Sequence, residues 1–459
     1  MSYQTAIARM YALGHELAQA PAHKFDLAHM HVLLEALEHP ERNFPSILIA
    51  GTNGKGSTAA TLASILRASG LRTGLYTSPH LVRINERIRI DGEEISDDDF
   101  ALLHDFVDRV AERLVSEREL PWHPSFFEML TAMAFETFSR RKVGIAVLEV
   151  GMGGRLDATN VVEPRVSVIT DIALDHQKYL GSTIAEIARE KAGIIRAGGV
   201  VVTLPQHPEA NDVIGNMTLQ LGARAVSAVP YVPPVSPASA DYAGVQVFSR
   251  YPLQVMGRQI RVETPLLGRH QLRNVALAIT AAEELSRQGF PITAESIERG
   301  IRETCWPGRF QVIPATQSAP EYVFDVAHNP AGVWALRSTL SARYGDRPFT
   351  LIFGAMRDKA IAEMAEILFP LAERVIATHA ENPRSATPAE IRQAAARVSL
   401  EIEEAPDVAT ALRQATRQAS PSAPGGLVVV TGSIYIVGEA MQALAVPSAA
   451  PAVTSGRAE

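Results

Sequence analysis

Lys55 sits in a setting that suits phosphate chemistry. Residues 45–58 read Pro-Ser-Ile-Leu-Ile-Ala-Gly-Thr-Asn-Gly-Lys-Gly-Ser-Thr, a short apolar run (47–50) followed by a Gly-rich loop and a helical stretch from Thr58. The run reads as a buried strand. Strand, loop and helix start together make a phosphate cradle. Backbone N–H groups converge on the anion, the helix dipole favours negative charge, and Lys55 adds a full positive charge. Gly51, Gly54 and Gly56 permit a backbone approach that side chains would block, with Thr52, Asn53 and Ser57 completing the loop. The spacing departs from the strict phosphate-loop pattern. Gly56 separates Lys55 from Ser57, and Ile49 stands where that pattern has its earlier glycine.

A second group of candidates lies at strand ends. Glu149 closes the apolar run 145–150, and Asp175 and His176 follow the run 166–172. In open α/β sheets ligands bind at the carboxyl ends of strands, so all three face the same edge as the phosphate loop. A carboxylate there suits Mg²⁺, a hard cation that takes oxygen ligands and phosphate partners. Taken alone, Glu149 reads equally as a partly exposed strand-end side chain, His176 as a structural histidine, and Lys191 as a solvated helix cation.

These residues need a scaffold, and the chain supplies one. Apolar runs at 145–150, 166–172 and 200–204 alternate with helical stretches at 126–138, 184–195 and 272–285. That alternation predicts a mainly parallel sheet covered by helices on both faces. Residues 226–262, rich in Pro, Val, Tyr and Ser, predict a β-rich insertion or edge. Trp306-Pro307-Gly308 breaks helical continuity. Beyond it the alternation resumes, with strands at 322–326, 349–353, 374–378 and 427–430. The expectation is two α/β domains, 1–304 and 305–444, and a disordered tail over 445–459. Asp97–Asp99 reads as a helix start rather than a metal site.

Composition narrows the class. At 459 residues the chain exceeds one compact core, and 47% hydrophobic with 20% charged residues is ordinary for a globular protein. A net charge of -7 argues against a general nucleic-acid binder. The single cysteine, Cys305, excludes internal disulfides, argues against cysteine zinc sites, and reads as a packing residue. The N-terminus carries no signal-type stretch; Tyr3, Ile7, Met10, Tyr11 and Leu17 instead predict an amphipathic helix. The strongest apolar run, 427–437, is interrupted by Gly432 and Ser433. The expectation is a cytoplasmic protein with no membrane or nucleic-acid partner.

Ten segments in order now carry a resemblance to the folylpolyglutamate synthase/dihydrofolate synthase family of the Mur ligase superfamily. They are 51–57, Ser78-Pro79-His80-Leu81 with Asn85-Glu86-Arg87, 148–160, 175–181, 190–194, 268–274, 306–310, 324–330, Arg357-Asp358-Lys359 and 432–438. The resemblance runs from about residue 24 to 438. It implies a phosphate-loop ATPase-like domain followed by a Rossmann-like domain, and an ATP-dependent amide ligase. ATP phosphorylates a pteroate or folate carboxylate, and the amino group of L-glutamate displaces the phosphate.

What the resemblance implies for single residues is equally specific. Lys55 and the loop amides hold the β- and γ-phosphates. Ser57, Ser78 and Glu149 surround a first Mg²⁺, while His176 and Lys191, with Glu149, match second-metal ligands. Lys191 matches a lysine often carbamylated in the superfamily. Asn274 and Arg309 match nucleotide and phosphate contacts, Asp325 the ribose partner, and His328 lies beside the incoming glutamate. Phe127, Asp157 and Ala158 match the pterin site, with Glu128 nearby. The residue-level alternatives are that Asp157 is a helix cap, Phe127 is core, and Ser78-Pro79-His80 is a structural turn. The implied enzyme is a monomer that makes dihydrofolate from dihydropteroate and extends folates. A folate-extending enzyme alone is one alternative. A peptidoglycan-type Mur ligase is another, disfavoured by a phosphate loop starting near residue 51 and by Gly-Gly-Arg-Leu-Asp-Ala-Thr-Asn. A non-catalytic nucleotide switch is disfavoured by Arg309, Asp325 and His328.

Overall fold

The computed structural model describes residues 1–14, 26–234, 248–317, 319–417 and 426–446. Leu17 of the expected amphipathic helix, the middle of the expected β-rich insertion and residues 447–459 of the expected tail lie outside them.

The first lobe is built on an eight-stranded sheet. Its strands are β1 (Ser46–Ala50), β2 (Thr73–Tyr76), β3 (Ile88–Ile90), β4 (Glu93–Glu94), β5 (Ile145–Glu149), β6 (Val166–Ile169), β7 (Val200–Thr203) and β8 (Arg224–Ser227). Their order is β4-β3-β2-β5-β1-β6-β7-β8, with β3 and β4 antiparallel and the other neighbours parallel. β1 lies between β5 and β6 with every residue buried, as expected for a Val/Ile/Leu run covered on both faces. The phosphate loop and Glu149 therefore leave neighbouring strands at the same edge.

One face of this sheet packs on the helices Lys55–Ala68, Arg269–Arg287 and Ala294–Arg302. Gly300 allows the last of these to close on the first: a Cβ there would lie 2.4 Å from the Ile65 Cα. The opposite face packs on the N-terminal helices and on Asp97–Ser116 and Phe126–Arg140. Ser96 caps the Asp97–Ser116 helix, so Asp97–Asp99 do start a helix. The β-rich region resolves into β8 and a separate hairpin, β9 (Ser249–Val255) and β10 (Arg258–Thr264).

The second lobe carries a six-stranded sheet of β11 (Gln311–Ile313), β12 (Glu321–Phe324), β13 (Thr350–Phe353), β14 (Arg374–Ala377), β15 (Ile402–Glu404) and β16 (Leu427–Thr431). The order is β11-β12-β16-β13-β14-β15, parallel except at the β11 edge. Ala445 and Val446 belong to the turn closing the last helix, where Val446 N donates to Met441 O (2.9 Å). Among the described residues, no helix is long and apolar enough to cross a membrane.

Candidate active site

The phosphate loop is anchored from below and shaped from above. Thr52 N donates to Asp171 O (2.8 Å) and Thr52 Oγ1 to Ala173 O (3.0 Å), tying the loop to the segment after β6. Gly54 has φ 90°, and a Cβ there would fall 2.2 Å from Asn274 Oδ1. Glycine is required on both counts. Asn274, on the Arg269–Arg287 helix, is thereby pressed onto the loop. The indole of Trp306 covers Gly56 in the same way, 2.9 Å from where a Cβ would be. Lys55 Nζ donates to Gly51 O (3.1 Å) and Thr52 O (3.2 Å), which folds the ammonium over the loop.

Around this loop sit a strand-end carboxylate and two buried polar atoms without a hydrogen-bond partner. Glu149, 5% exposed at the end of β5, accepts weakly from Ser78 N (3.4 Å). Ser78 Oγ and His176 Nδ1 are buried and make no hydrogen bond. Two orphaned buried donors or acceptors beside a strand-end carboxylate call for a ligand. Among the described residues no three His, Cys, Asp or Glu side chains gather into a ready-made metal cage. Any cation here would need phosphate or water oxygens to complete its shell, the usual habit of Mg²⁺.

Lys191 is not the solvated cation that its helix position alone suggested. It is buried, and its Nζ donates to Gly51 O at 2.7 Å, the carbonyl that also receives Lys55. Desolvation, and secondarily the Lys55 charge, pull its pKa down to about 7. His176 has φ 50° at the start of a one-turn helix, and burial lowers its imidazole to about 4.

The second lobe faces these groups. Burial lowers the Arg309 pKa, while Asp325 and Glu149 act in the opposite sense on it. Asp325 accepts Phe310 N (2.8 Å) and Ala327 N (2.9 Å), and burial raises its carboxyl to about 6. His328 Nδ1 lies 2.9 Å from Val326 O, leaving Nε2 directed toward Asp175 of the first lobe, 3.7 Å from Oδ2.

The candidate catalytic, nucleotide, metal and pterin residues all line one cavity of about 1110 Å³, which runs from Phe127, Asp157 and Ala158 past the phosphate loop to Arg309, Asp325 and His328. Phe127 is half-buried, not core; it lies over Gly151, where a Cβ would be 2.5 Å from its Cζ. Asp157 is both cavity wall and cap. Oδ1 accepts Thr159 N (3.0 Å) and Thr159 Oγ1 (2.5 Å), and Oδ2 accepts Met152 N (2.9 Å). The cap alternative for Asp157 is thus realised, and the carboxylate that the resemblance assigns to the pterin site already holds these donors. Glu128 is spent largely on a capping box with Ser125.

Sequence reasoning gave no role to Asn329 or Lys359. Asn329 exchanges hydrogen bonds with Asn53 (3.0 and 3.4 Å), and Lys359 pairs with Asp175 (2.5 Å). Lys359 stood in a matched segment, but nothing near it in sequence pointed to a partner 184 positions away.

Comparison with known proteins identifies two Mur ligase domains and relatives over nearly the whole chain. The Mur ligase middle domain matches residues 125–282, and the Mur ligase glutamate ligase domain matches residues 308–434. The chain is 36% identical over 445 residues to folylpolyglutamate synthase of Lacticaseibacillus casei, covering 97% of this chain and 99% of that one. It is 34% identical over 415 residues to dihydrofolate synthase/folylpolyglutamate synthase of Bacillus subtilis, covering 90% and 93%. The structure of Mycobacterium tuberculosis folylpolyglutamate synthase complexed with ADP and AMPPCP superposes with a TM-score of 0.83, at 33% identity, covering 95% of this chain and 98% of that one.

Proposed function

The chain belongs to the folylpolyglutamate synthase/dihydrofolate synthase family, and from that premise we propose that it is an ATP-dependent ligase joining L-glutamate to dihydropteroate and to reduced folates through an acyl phosphate. The observation that carries this reading is the single cavity in which a phosphate loop, a half-buried aromatic floor and second-lobe cations meet. In this reading the lobes are the domains 1–304 and 305–444.

The residues divide the work. Lys55 and the loop amides hold the β- and γ-phosphates, with Asn274 against the loop and Arg309 reaching in from the second lobe. Asp325 takes the ribose. Phe127 presents a ring face to the pterin, beside Asp157 and Ala158. The substrate carboxylate attacks the γ-phosphorus and ADP leaves; the glutamate amine, beside His328, then attacks the acyl carbon and phosphate leaves. Converting a carboxylate into an acyl phosphate turns a poor leaving group into a good one.

Ser78 Oγ and His176 Nδ1, with Glu149 and Ser57, would hold Mg²⁺, which would supply charge neutralisation on the transferring phosphoryl group. Lys191, carbamylated, would add an oxygen ligand to the second-metal set. Its depressed pKa supports this, because only the neutral amine reacts with CO₂. The proposed working unit is a monomer. Dependence on ATP and reduced folates fits a cytoplasmic location.

A folate-extending enzyme without dihydrofolate synthesis is the second reading, favoured by the donors already on Asp157. One assay separates the cases: ADP release with dihydropteroate, tetrahydrofolate or a UDP-sugar peptide, each with and without L-glutamate. Release that needs glutamate together with either pterin supports the bifunctional reading. Release with tetrahydrofolate alone leaves the narrower one, and turnover of the UDP-sugar peptide would overturn both.

A further inference from the structure

A buried ion pair joins the lobes at a point the mechanism leaves unused. Asp175 follows β6 in the first lobe, and Lys359 lies in the turn between β13 and the Ile361–Leu368 helix of the second. Their side chains are 9% and 8% exposed, and Lys359 Nζ donates to Asp175 Oδ1 at 2.5 Å. Two more second-lobe side chains, from a different segment, converge on the same carboxylate. Asn329 Nδ2 donates to Oδ2 (3.2 Å), and His328 Nε2 stands 3.7 Å from it. Asn329 also holds Asn53 of the phosphate loop, and Asp175 Oδ1 accepts the backbone N–H of His176 (2.8 Å). One carboxylate thus connects the phosphate loop, His176 and His328.

The partners sit on different lobes, so their burial exists only while the lobes are docked. Apart, each charge is hydrated. Together, each is desolvated and is stable only because the other is there, so removing one leaves the other uncompensated. The pair is therefore made and broken by lobe movement. Its carboxylate is held from the first-lobe side by the His176 amide, so forming the pair also fixes where His328 and Asn329 come to rest.

We propose that Asp175 and Lys359 are positioning residues, a clasp that holds the second lobe docked so that His328 lines one cavity with Lys55 and Glu149. The proposal rests on the ligase reading and adds to it a role for two cavity-lining residues that the proposed mechanism leaves without one. The competing role for Lys359 is a cation that binds the carboxylates of the incoming amino acid directly, in which case Asp175 is only its resting partner.

The test compares full-length wild type with Lys359→Met, Lys359→Arg, Asp175→Asn and the Asp175→Asn/Lys359→Met double variant, each checked by thermal melting. Lys359→Met and Asp175→Asn should each lower kcat by about 30-fold or more, with KM for ATP within about threefold of wild type. The double variant should be no worse than the poorer single by more than about threefold, because both remove one interaction. Lys359→Arg should recover much of the loss. With ADP bound, small-angle scattering should give a smaller radius of gyration for wild type than for either single variant. Lys359→Met that raises KM for glutamate at unchanged kcat, losses that multiply in the double variant, or equal radii for all proteins would overturn the clasp. If wild type shows no glutamate-dependent ADP release, the ligase reading falls instead, and the scattering comparison still judges the clasp.

Discussion

Two lysines share one carbonyl here, and their surroundings give them different roles. Lys55 and Lys191 both donate to Gly51 O, but Lys191 is the one enclosed by protein. Burial, and after it the nearby Lys55 charge, draws the Lys191 pKa to about 7. Lys55→Ala should therefore lower ligation by at least about 10²-fold, since it removes charge from the transferring phosphoryl group. The stability cost should be about 1 kcal/mol or less, because the hydrogen bonds it makes go to loop carbonyls. A purified variant with near wild-type turnover would remove the phosphate cradle from the mechanism. For Lys191, a ¹³C-bicarbonate exchange spectrum should show one carbamate carbon, absent in Lys191→Ala, whose activity short carboxylates should partly restore. Asp325 gives a pH prediction. Burial raises its folded pKa from 3.8 to about 6. The folded state therefore binds the extra proton between those values, and the associated stability is complete below about pH 4 and lost as pH rises through about 6. The swing is about 3 kcal/mol. Melting temperatures of Asp325→Asn minus wild type should become more positive from pH 4 to pH 6; a constant difference would contradict the buried carboxyl.

At the scale of elements, what the sequence makes legible and what it hides have distinct physical causes. β1, β5, β6 and β7, with β12, β13, β14 and β16 of the second lobe, are largely apolar runs with buried middles, and such runs read directly. The β2–β3–β4 edge was not anticipated. Ile-Arg-Ile and Glu-Glu are too short and too charged to look like strands, and they pair only because β2 offers its free edge. The site residues were legible because they follow strand ends. The contacts that position them were not, because they join distant segments. Gly438 shows this. It is buried in the Ile434–Ala443 helix, and a Cβ there would fall 1.9 Å from Leu81 O, a backbone atom of the first lobe. The Leu81 segment cannot readily retreat, since Glu86 holds the N–H groups of Leu81, Val82 and Arg83 at 2.7–2.8 Å. Gly438→Ala should accordingly hold the lobes apart, lowering kcat by about tenfold or more while KM for ATP changes little. Unchanged kcat would mean that this contact has no part in docking.

At the scale of the whole molecule, the two sheets have separate cores, and few apolar side chains cross between them. Leu267 reaches one second-lobe cluster and Leu81 packs against the other. Polar contacts join the lobes as well: Asp175 meets Lys359, Asn329 and His328, and Asn53 meets Asn329. Lobes joined this way move relative to one another and need not unfold together. Calorimetry of the ligand-free protein should therefore resolve two transitions. AMPPCP has contacts on both lobes in the proposed mechanism, so it binds only the docked pair and should raise and merge both transitions. At 100 times its dissociation constant the stabilisation is about 2.7 kcal/mol. Dihydropteroate, whose proposed contacts at Phe127, Asp157 and Ala158 all belong to the first lobe, should raise one transition and leave the other in place. A single ligand-free transition that AMPPCP and dihydropteroate shift alike would show that the lobes unfold as one body, and the cleft would then have to be pre-formed rather than closed by its nucleotide.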